Sequence, residues 1–279
     1  MLREDIRIRD PFIYAEDNTY YLLGTTGNDC WSKGSNFTLY ASEDLHTFRV
    51  VGTMVKEGVL DGYTQLWAPE LHRYRDKYYL IVSLFCPEKR RGSMILVSDT
   101  VAGPYVPLTG EYITPSGWMC LDASLYVEDG KPYLYFSNEW VDPVTNDGDG
   151  SLYVAALSEN LRTLVSRPKK IVSGKYCGFS VSIREGNTVG YVAEGPYAVR
   201  CKEKIELYWS TFTQNGYCVA RSTAREPLGD YTFDKLIFDR DGGHCMVFMT
   251  HEGCRKIIFH QPNRSPDERL VIFDLPEEA

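Results

Sequence analysis

Ile8-Arg9-Asp10-Pro11-Phe12-Ile13-Tyr14, followed by Tyr20-Tyr21-Leu22-Leu23-Gly24, is a two-part phrase that returns along the whole chain. It reappears as Trp67-Ala68-Pro69-Glu70-Leu71 with Tyr78-Tyr79-Leu80-Ile81-Val82. The third copy is Leu121-Asp122-Ala123-Ser124-Leu125-Tyr126 with Tyr133-Leu134-Tyr135-Phe136-Ser137. Ala193-Glu194-Gly195-Pro196-Tyr197 with Ile205-Glu206-Leu207-Tyr208-Trp209-Ser210 is the fourth, and Gly243-His244-Cys245-Met246-Val247-Phe248 with Lys256-Ile257-Ile258-Phe259 the fifth. Most of these runs are rich in the aromatic and β-branched residues of strands. Asp17-Asn18 and Asp129-Gly130 supply tight turns between the halves.

Each phrase is followed by a third strand candidate: Thr38 to Ser42, Met94 to Ser98, Leu152 to Ala156, Tyr217 to Ser222, and Leu270 to Phe273 in a shortened last unit. The segment Asp99 to Tyr105 has a partner in Ala224 to Tyr231. Loops are expected at Gly27 to Ser35, which holds Trp31, and at Pro87 to Gly92. Five units of three or four short antiparallel strands predict an all-β fold, a five-bladed β-propeller over residues 1–279 as one domain. A β-sandwich would account for the number of strands but not for the phased motif.

The first strand of each blade lies beside the axis, so five strand heads converge at one end of it. Aligned so that each second run starts about eleven residues after the motif residue, the heads read Asp10, Ala68, Asp122, Glu194 and His244. Four of these five are ionisable, although each heads an apolar strand where a charge costs desolvation energy. Either each acid caps a turn, or Asp10, Asp122 and Glu194 share an axial pocket. Carboxylates brought together raise one another's pKa. That yields the protonated acid and ionised base needed to cleave a glycoside.

Composition narrows the alternatives. A net charge of -8 and a pI near 5.2, with no Lys/Arg-rich run, oppose nucleic-acid binding. No apolar run reaches the ~18 residues of a membrane-spanning helix. Met1-Leu2-Arg3-Glu4-Asp5 lacks a signal peptide's apolar segment, so a cytoplasmic location is expected. The eight cysteines are scattered without a CxxC pair and read as reduced thiols. Nothing in the sequence sets an oligomeric state.

The ordered motifs Arg9-Asp10-Pro11, Trp67-Ala68-Pro69-Glu70, Leu121-Asp122, Ala193-Glu194-Gly195-Pro196 and Gly242-Gly243-His244, with His260-Gln261-Pro262-Asn263 at the end, resemble glycoside hydrolase family 43. The resemblance implies a five-bladed propeller with an axial active site that hydrolyses glycosides with inversion. Carried over by motif, Asp10 is the expected general base and Glu194 the general acid. Asp122 is expected to orient the acid and raise its pKa. His244 corresponds to an axial histidine, near a hydrated calcium in some members. No cofactor is expected to be required, and a structural calcium at the axis is the one metal implied. Cys245 stands where members often have glycine.

Second strands run back to the same mouth, which places Phe85, Asn138, Glu139, Trp140 and Phe212 there, with Trp67 just before a first strand. Aromatic faces suit the apolar face of a sugar, so Trp67 and Trp140 are the expected platforms. Arg264 and Arg269 are candidate hydroxyl donors, with solvent exposure as the simpler reading. The implied substrate is an oligosaccharide derived from plant polysaccharide. The expected activity is an exo-acting α-L-arabinofuranosidase or β-D-xylosidase. An endo-acting arabinanase or xylanase and a non-catalytic carbohydrate-binding propeller are the alternatives.

Overall fold

The computed structural model describes residues 1–27, 30–32, 37–145 and 147–275. The loop expected at Gly27 to Ser35 therefore lies partly outside the described residues. Blade 1 comprises Arg9–Glu16, Thr19–Thr25, Thr38–Ser42 and Arg49–Thr53, and blade 2 comprises Thr64–Tyr74, Lys77–Cys86, Arg90–Ser98 and Val106–Pro107. Blade 3 is Cys120–Glu128, Lys131–Asn138, Ser151–Ala156 and Lys169–Ser173. Blade 4 is Glu194–Cys201, Lys204–Thr213, Gly216–Ala224 and Thr232–Asp239; blade 5 has three strands, Gly243–Met249, Arg255–Gln261 and Arg269–Asp274. Every pairing within a blade is antiparallel, and the first strands of the five blades touch in a closed ring.

Local chemistry explains the hairpins. Asp17 and Asn18 both take positive φ (47° and 59°), as do Asp129 and Gly130 (49° and 75°), the mirror-image turn that matches strand twist. The paired segments at 99–105 and 224–231 make the same contact: the Tyr105 and Tyr231 hydroxyls each donate to the carbonyl four residues back (3.0 and 3.4 Å). Three features differ from expectation. The loop at Pro87 to Gly92 is only a turn, because the third strand already begins at Arg90. A separate hairpin, Ile183–Glu185 with Thr188–Gly190, joins blades 3 and 4. Trp67 lies inside the first strand of blade 2, not ahead of it.

The apolar core sits between blades. Ile81, Ile95, Ala123 and Phe136 fill the seam of blades 2 and 3, and Tyr135, Val154, Ile205 and Trp209 that of blades 3 and 4. Burial of such side chains at ~1.5–3 kcal/mol each holds sheets that share no ladder hydrogen bonds.

Around the axis the register is fivefold. Arg9 pairs with Thr25, Trp67 with Ser83, Leu121 with Ser137, Glu194 with Ser210 and Gly243 with His260, and the register breaks straight after each pair. The next residue takes a left-handed φ in every blade: Asp10 (50°), Ala68 (44°), Asp122 (54°), Gly195 (58°) and His244 (54°). This corrects the expected column, because Glu194 stands one residue before the bulge, level with Arg9 and Trp67. Strand starts, used as the ruler in the sequence, wander by a residue; ladder partners do not.

Each bulge frees an amide from its own ladder, and all five reach the preceding blade, four of them at a side chain of its second strand. Ala68 N–H donates to Thr25 Oγ1 (2.8 Å), Asp122 to Ser83 Oγ (2.7 Å), His244 to Ser210 Oγ (2.8 Å) and Asp10 to His260 Nδ1 (3.2 Å). The fifth differs: the Ser137 hydroxyl donates to the Ala193 carbonyl, and Gly195 N–H donates to Asp122 Oδ2 (3.1 Å).

The first residues close the ring. Leu2 bridges Thr47 of blade 1, and Arg7 bridges Arg269 of blade 5. Arg269 also donates to the Glu4 carbonyl (3.0 Å), and Arg264 pairs with Asp267. Neither arginine is among the residues that line the axial cavity.

Ser83→Ala leaves the buried Asp122 amide without an acceptor. We expect a loss of about 1–3 kcal/mol in equilibrium denaturation. A loss below ~0.5 kcal/mol would show that the inter-blade bond contributes little.

Candidate active site

Asp10, Asp122, Glu194 and His244 converge at one end of the axis, lining a cavity of ≈ 70 Å³ with Arg9, Thr25, Cys30, Trp31, Trp67 and Leu121. Such a volume lies far below the roughly 300–1,000 Å³ of sites for drug-sized ligands. The left-handed bulge turns Asp10, Asp122 and His244 inward from the strand direction.

His244 Nδ1 stands 3.2 Å from Asp10 Oδ1 and 3.8 Å from Asp122 Oδ2. Burial pushes the imidazole pKa down, but Asp10, Asp122 and Glu194 together outweigh it, and the net displacement is upward. Burial likewise pushes Asp10 up; His244, Arg9 and the Thr25 hydroxyl (2.6 Å to Oδ2) reverse this and hold it below its ordinary value.

The other two acids move the opposite way. Burial raises Asp122, reinforced by Glu194 and Asp10 against the pull of His244. Burial also raises Glu194, with Asp10 adding to it, while the Tyr217 hydroxyl and His244 oppose. The Tyr217 hydroxyl donates to Glu194 Oε1 (2.7 Å), so Oε2 is the oxygen outside that bond. His260 is held neutral: burial and Arg9 push its pKa down to about 3, so its Nδ1 accepts the Asp10 amide.

His244 does not fit a metal-ligand role. Calcium prefers oxygen ligands, whereas the imidazole offers nitrogen. Among the described residues no group of three or more His, Cys, Asp or Glu is placed to hold a metal ion.

Of the expected sugar-contacting residues, only Trp67 lines the cavity. Its indole N–H donates to the Cys30 carbonyl, and its ring meets Trp31 edge to face at 5.6 Å. Asn138 is buried at the blade 3 rim, where its amide donates to the Met119 carbonyl (3.1 Å) and Asp142 Oδ2 (2.7 Å); it braces a loop. Trp140 packs over Gly190, where a Cβ would come within 2.5 Å of its Cε3. Phe212 leans on Tyr217 (5.0 Å), and Phe85 lies beside Arg91 (5.8 Å). Glu139 is paired with Arg91 (2.9 Å).

Sequence reasoning passed over Arg9, Thr25, Trp31 and Tyr217. Arg9 and Thr25 carried a signal, since they are ladder partners flanking the first motif. Trp31 and Tyr217 gave none, because the contacts that matter are to residues far away in sequence.

This propeller and its buried acids are those of a known family. The profile of Glycosyl hydrolases family 43 matches residues 5–271, and the chain belongs to that family. Its fold superposes on the endo-arabinase from Bacteroides thetaiotaomicron VPI-5482 with a TM-score of 0.89 and 31% identity, over 100% of this chain and 97% of that one. Alpha-L-arabinofuranosidase 43 of Humicola insolens is 30% identical over 169 residues, 59% of this chain and 33% of that protein. The extracellular exo-alpha-(1->5)-L-arabinofuranosidase of Streptomyces avermitilis is 25% identical over 228 residues, 77% of this chain and 43% of that protein. The chain thus spans a third to under half of the length of these two curated relatives.

Tyr217→Phe removes a hydrogen bond that favours ionised Glu194, so the acid's pKa rises further. We expect lower activity with the alkaline limb of the pH profile moved to higher pH. An unmoved or lowered limb would separate Tyr217 from the titration of Glu194.

Proposed function

We propose that this chain is an inverting glycoside hydrolase acting on α-L-arabinofuranosides, with Asp10 as general base and Glu194 as general acid. The observation that carries the reading is the opposite displacement of these two carboxyl groups across one small cavity. Asp10, held ionised, takes a proton from water as the water oxygen attacks the anomeric carbon. The glycosidic C–O bond breaks as Glu194 gives its proton to the departing oxygen. Inversion follows from attack opposite to departure. Solvent then returns Asp10 and Glu194 to their starting protonation states.

Asp122 orients this machinery through backbone as well as charge, because its Oδ2 holds the amide next to Glu194. His244 keeps Asp10 ionised, and no metal ion is required. Arabinosides are favoured over xylosides because the endo-arabinase and both arabinofuranosidases named above carry that sugar in their names. The small size of the axial cavity supports release of single terminal residues. The endo-arabinase likeness, at 31% identity over the full chain, favours internal cleavage as the second reading. Products from linear arabinan decide between them: arabinose alone from the outset, or a ladder of oligosaccharides.

Role separation tests the mechanism. Glu194→Gln is expected to hydrolyse nitrophenyl arabinofuranoside with little loss, since an acidic leaving group needs no proton, and to lose ~10²–10⁴-fold on arabino-oligosaccharides. Asp10→Asn is expected to disable both. The reverse pattern would exchange the two labels. Proton NMR of the first-formed anomer should show inversion, and retention would refute it. Activity is expected to survive exhaustive chelation; loss restored by calcium would restore the metal.

A further inference from the structure

Two buried arginines back the two tryptophans at the cavity wall. Arg9 lies 4.6 Å from the Trp31 ring centroid and Arg91 4.0 Å from that of Trp67. Each keeps a buried Nη1 with no hydrogen-bond partner, a costly state for a charged donor. Their surroundings differ. Arg91 spends its Nε on Glu139 and does not line the cavity, whereas Arg9 lines it together with Asp10, Asp122 and Glu194.

We propose that Arg9 is a substrate-binding residue, whose unpartnered Nη1 donates a hydrogen bond to a hydroxyl of the sugar held against Asp10. This inference rests on the glycosidase reading. The guanidinium is anchored: Nη2 donates to Asn263 Oδ1, which also faces His260 Nε2 at 3.1 Å, and the guanidinium carbon sits 4.6 Å from the Trp31 ring centroid. These contacts hold Nη1 in place, so a hydrogen bond from it costs little further ordering. On the glycosidase reading the group held against Asp10 is a sugar, so the acceptor within reach of the guanidinium is the neutral oxygen of a hydroxyl. Arg9 also directly precedes Asp10, so one backbone bulge sets both the donor and the general base. A sugar held by Nη1 is therefore placed relative to the attacking water by a single peptide unit. Trp31, itself 53% exposed, covers the guanidinium and keeps water from competing for it.

The test pairs variants with substrates lacking one hydroxyl. Arg9→Lys, Arg9→Gln and, as a packing control outside the cavity, Arg91→Lys are assayed on nitrophenyl α-L-arabinofuranoside and its 2-, 3- and 5-deoxy analogues. On the parent glycoside the Arg9 variants are expected to lose about 10- to 100-fold in kcat/KM. On one deoxy analogue that loss should vanish, because the hydroxyl that Nη1 serves is gone. Arg91→Lys should lose equally on all four. An Arg9 loss that is equal on every analogue, or a coupling matched by Arg91→Lys, overturns the proposal. Should the Arg9 variants fail to fold, wild-type crystals with L-arabinose beside Asp10 test the same contact directly. Nη1 within about 3.2 Å of a sugar hydroxyl supports it, and a still unpaired Nη1 overturns it. A wild-type protein that hydrolyses no glycoside would instead remove the functional reading itself.

Discussion

An amide that leaves its own β-ladder inside a protein has to find another acceptor. Five such amides surround the axis of this propeller, one for each left-handed bulge. Four of them reach a hydroxyl or an imidazole on the neighbouring blade, so the sheets are joined at their inner ends by hydrogen bonds as well as by packing. The bulge that creates the demand also aims Asp10, Asp122 and His244 into the cavity. Closure of the ring and assembly of the site are one event.

Blade 4 departs from this pattern, and the departure is chemically informative. Gly195 occupies its bulge, and the amide there turns to the Asp122 carboxylate rather than to Ser137. Glu194 then projects from the ladder position before the bulge, next to the Tyr217 hydroxyl. A side chain at the bulge itself would press on His244, since a Cβ on Gly195 would lie 3.2 Å from the imidazole. Moving the acid back by one residue clears that space. The acid thus stands apart from the Asp10–His244 pair, in surroundings that displace its titration the other way.

Most of the scaffold was legible in the sequence because strands and turns are written locally. The recurring aromatic and β-branched runs, with Asp17-Asn18 and Asp129-Gly130, give five blades and their order, with edges displaced by only a few residues. The three acids were visible as charges where apolar residues are the rule. The offset of Glu194 was not, since a bulge adds a residue without changing composition. Asn138 and Trp140 were misplaced because proximity to a strand end says nothing about which way a side chain turns. Arg9 stood in the first motif, but its burial was not legible there, because it depends on Trp31 and on Asn263, far along the chain. The hairpin at 183–190 lacked the aromatic content that marked the other strands.

The strap formed by the first seven residues has a consequence for how the molecule comes to be. Arg7 meets Glu268 across a sequence separation of 261 residues, and Leu2 meets Thr47 within blade 1. Four blades can form their own hairpins from local contacts as the chain leaves the ribosome. The joint between the first blade and the last has to wait for the final strands, and it bears the largest loop-closure entropy of any contact in the fold. Until that joint is made, the Asp10 amide lacks its His260 acceptor and the cavity lacks one wall. The cavity should therefore be completed only after the fifth blade has been made, in one step when the circle closes.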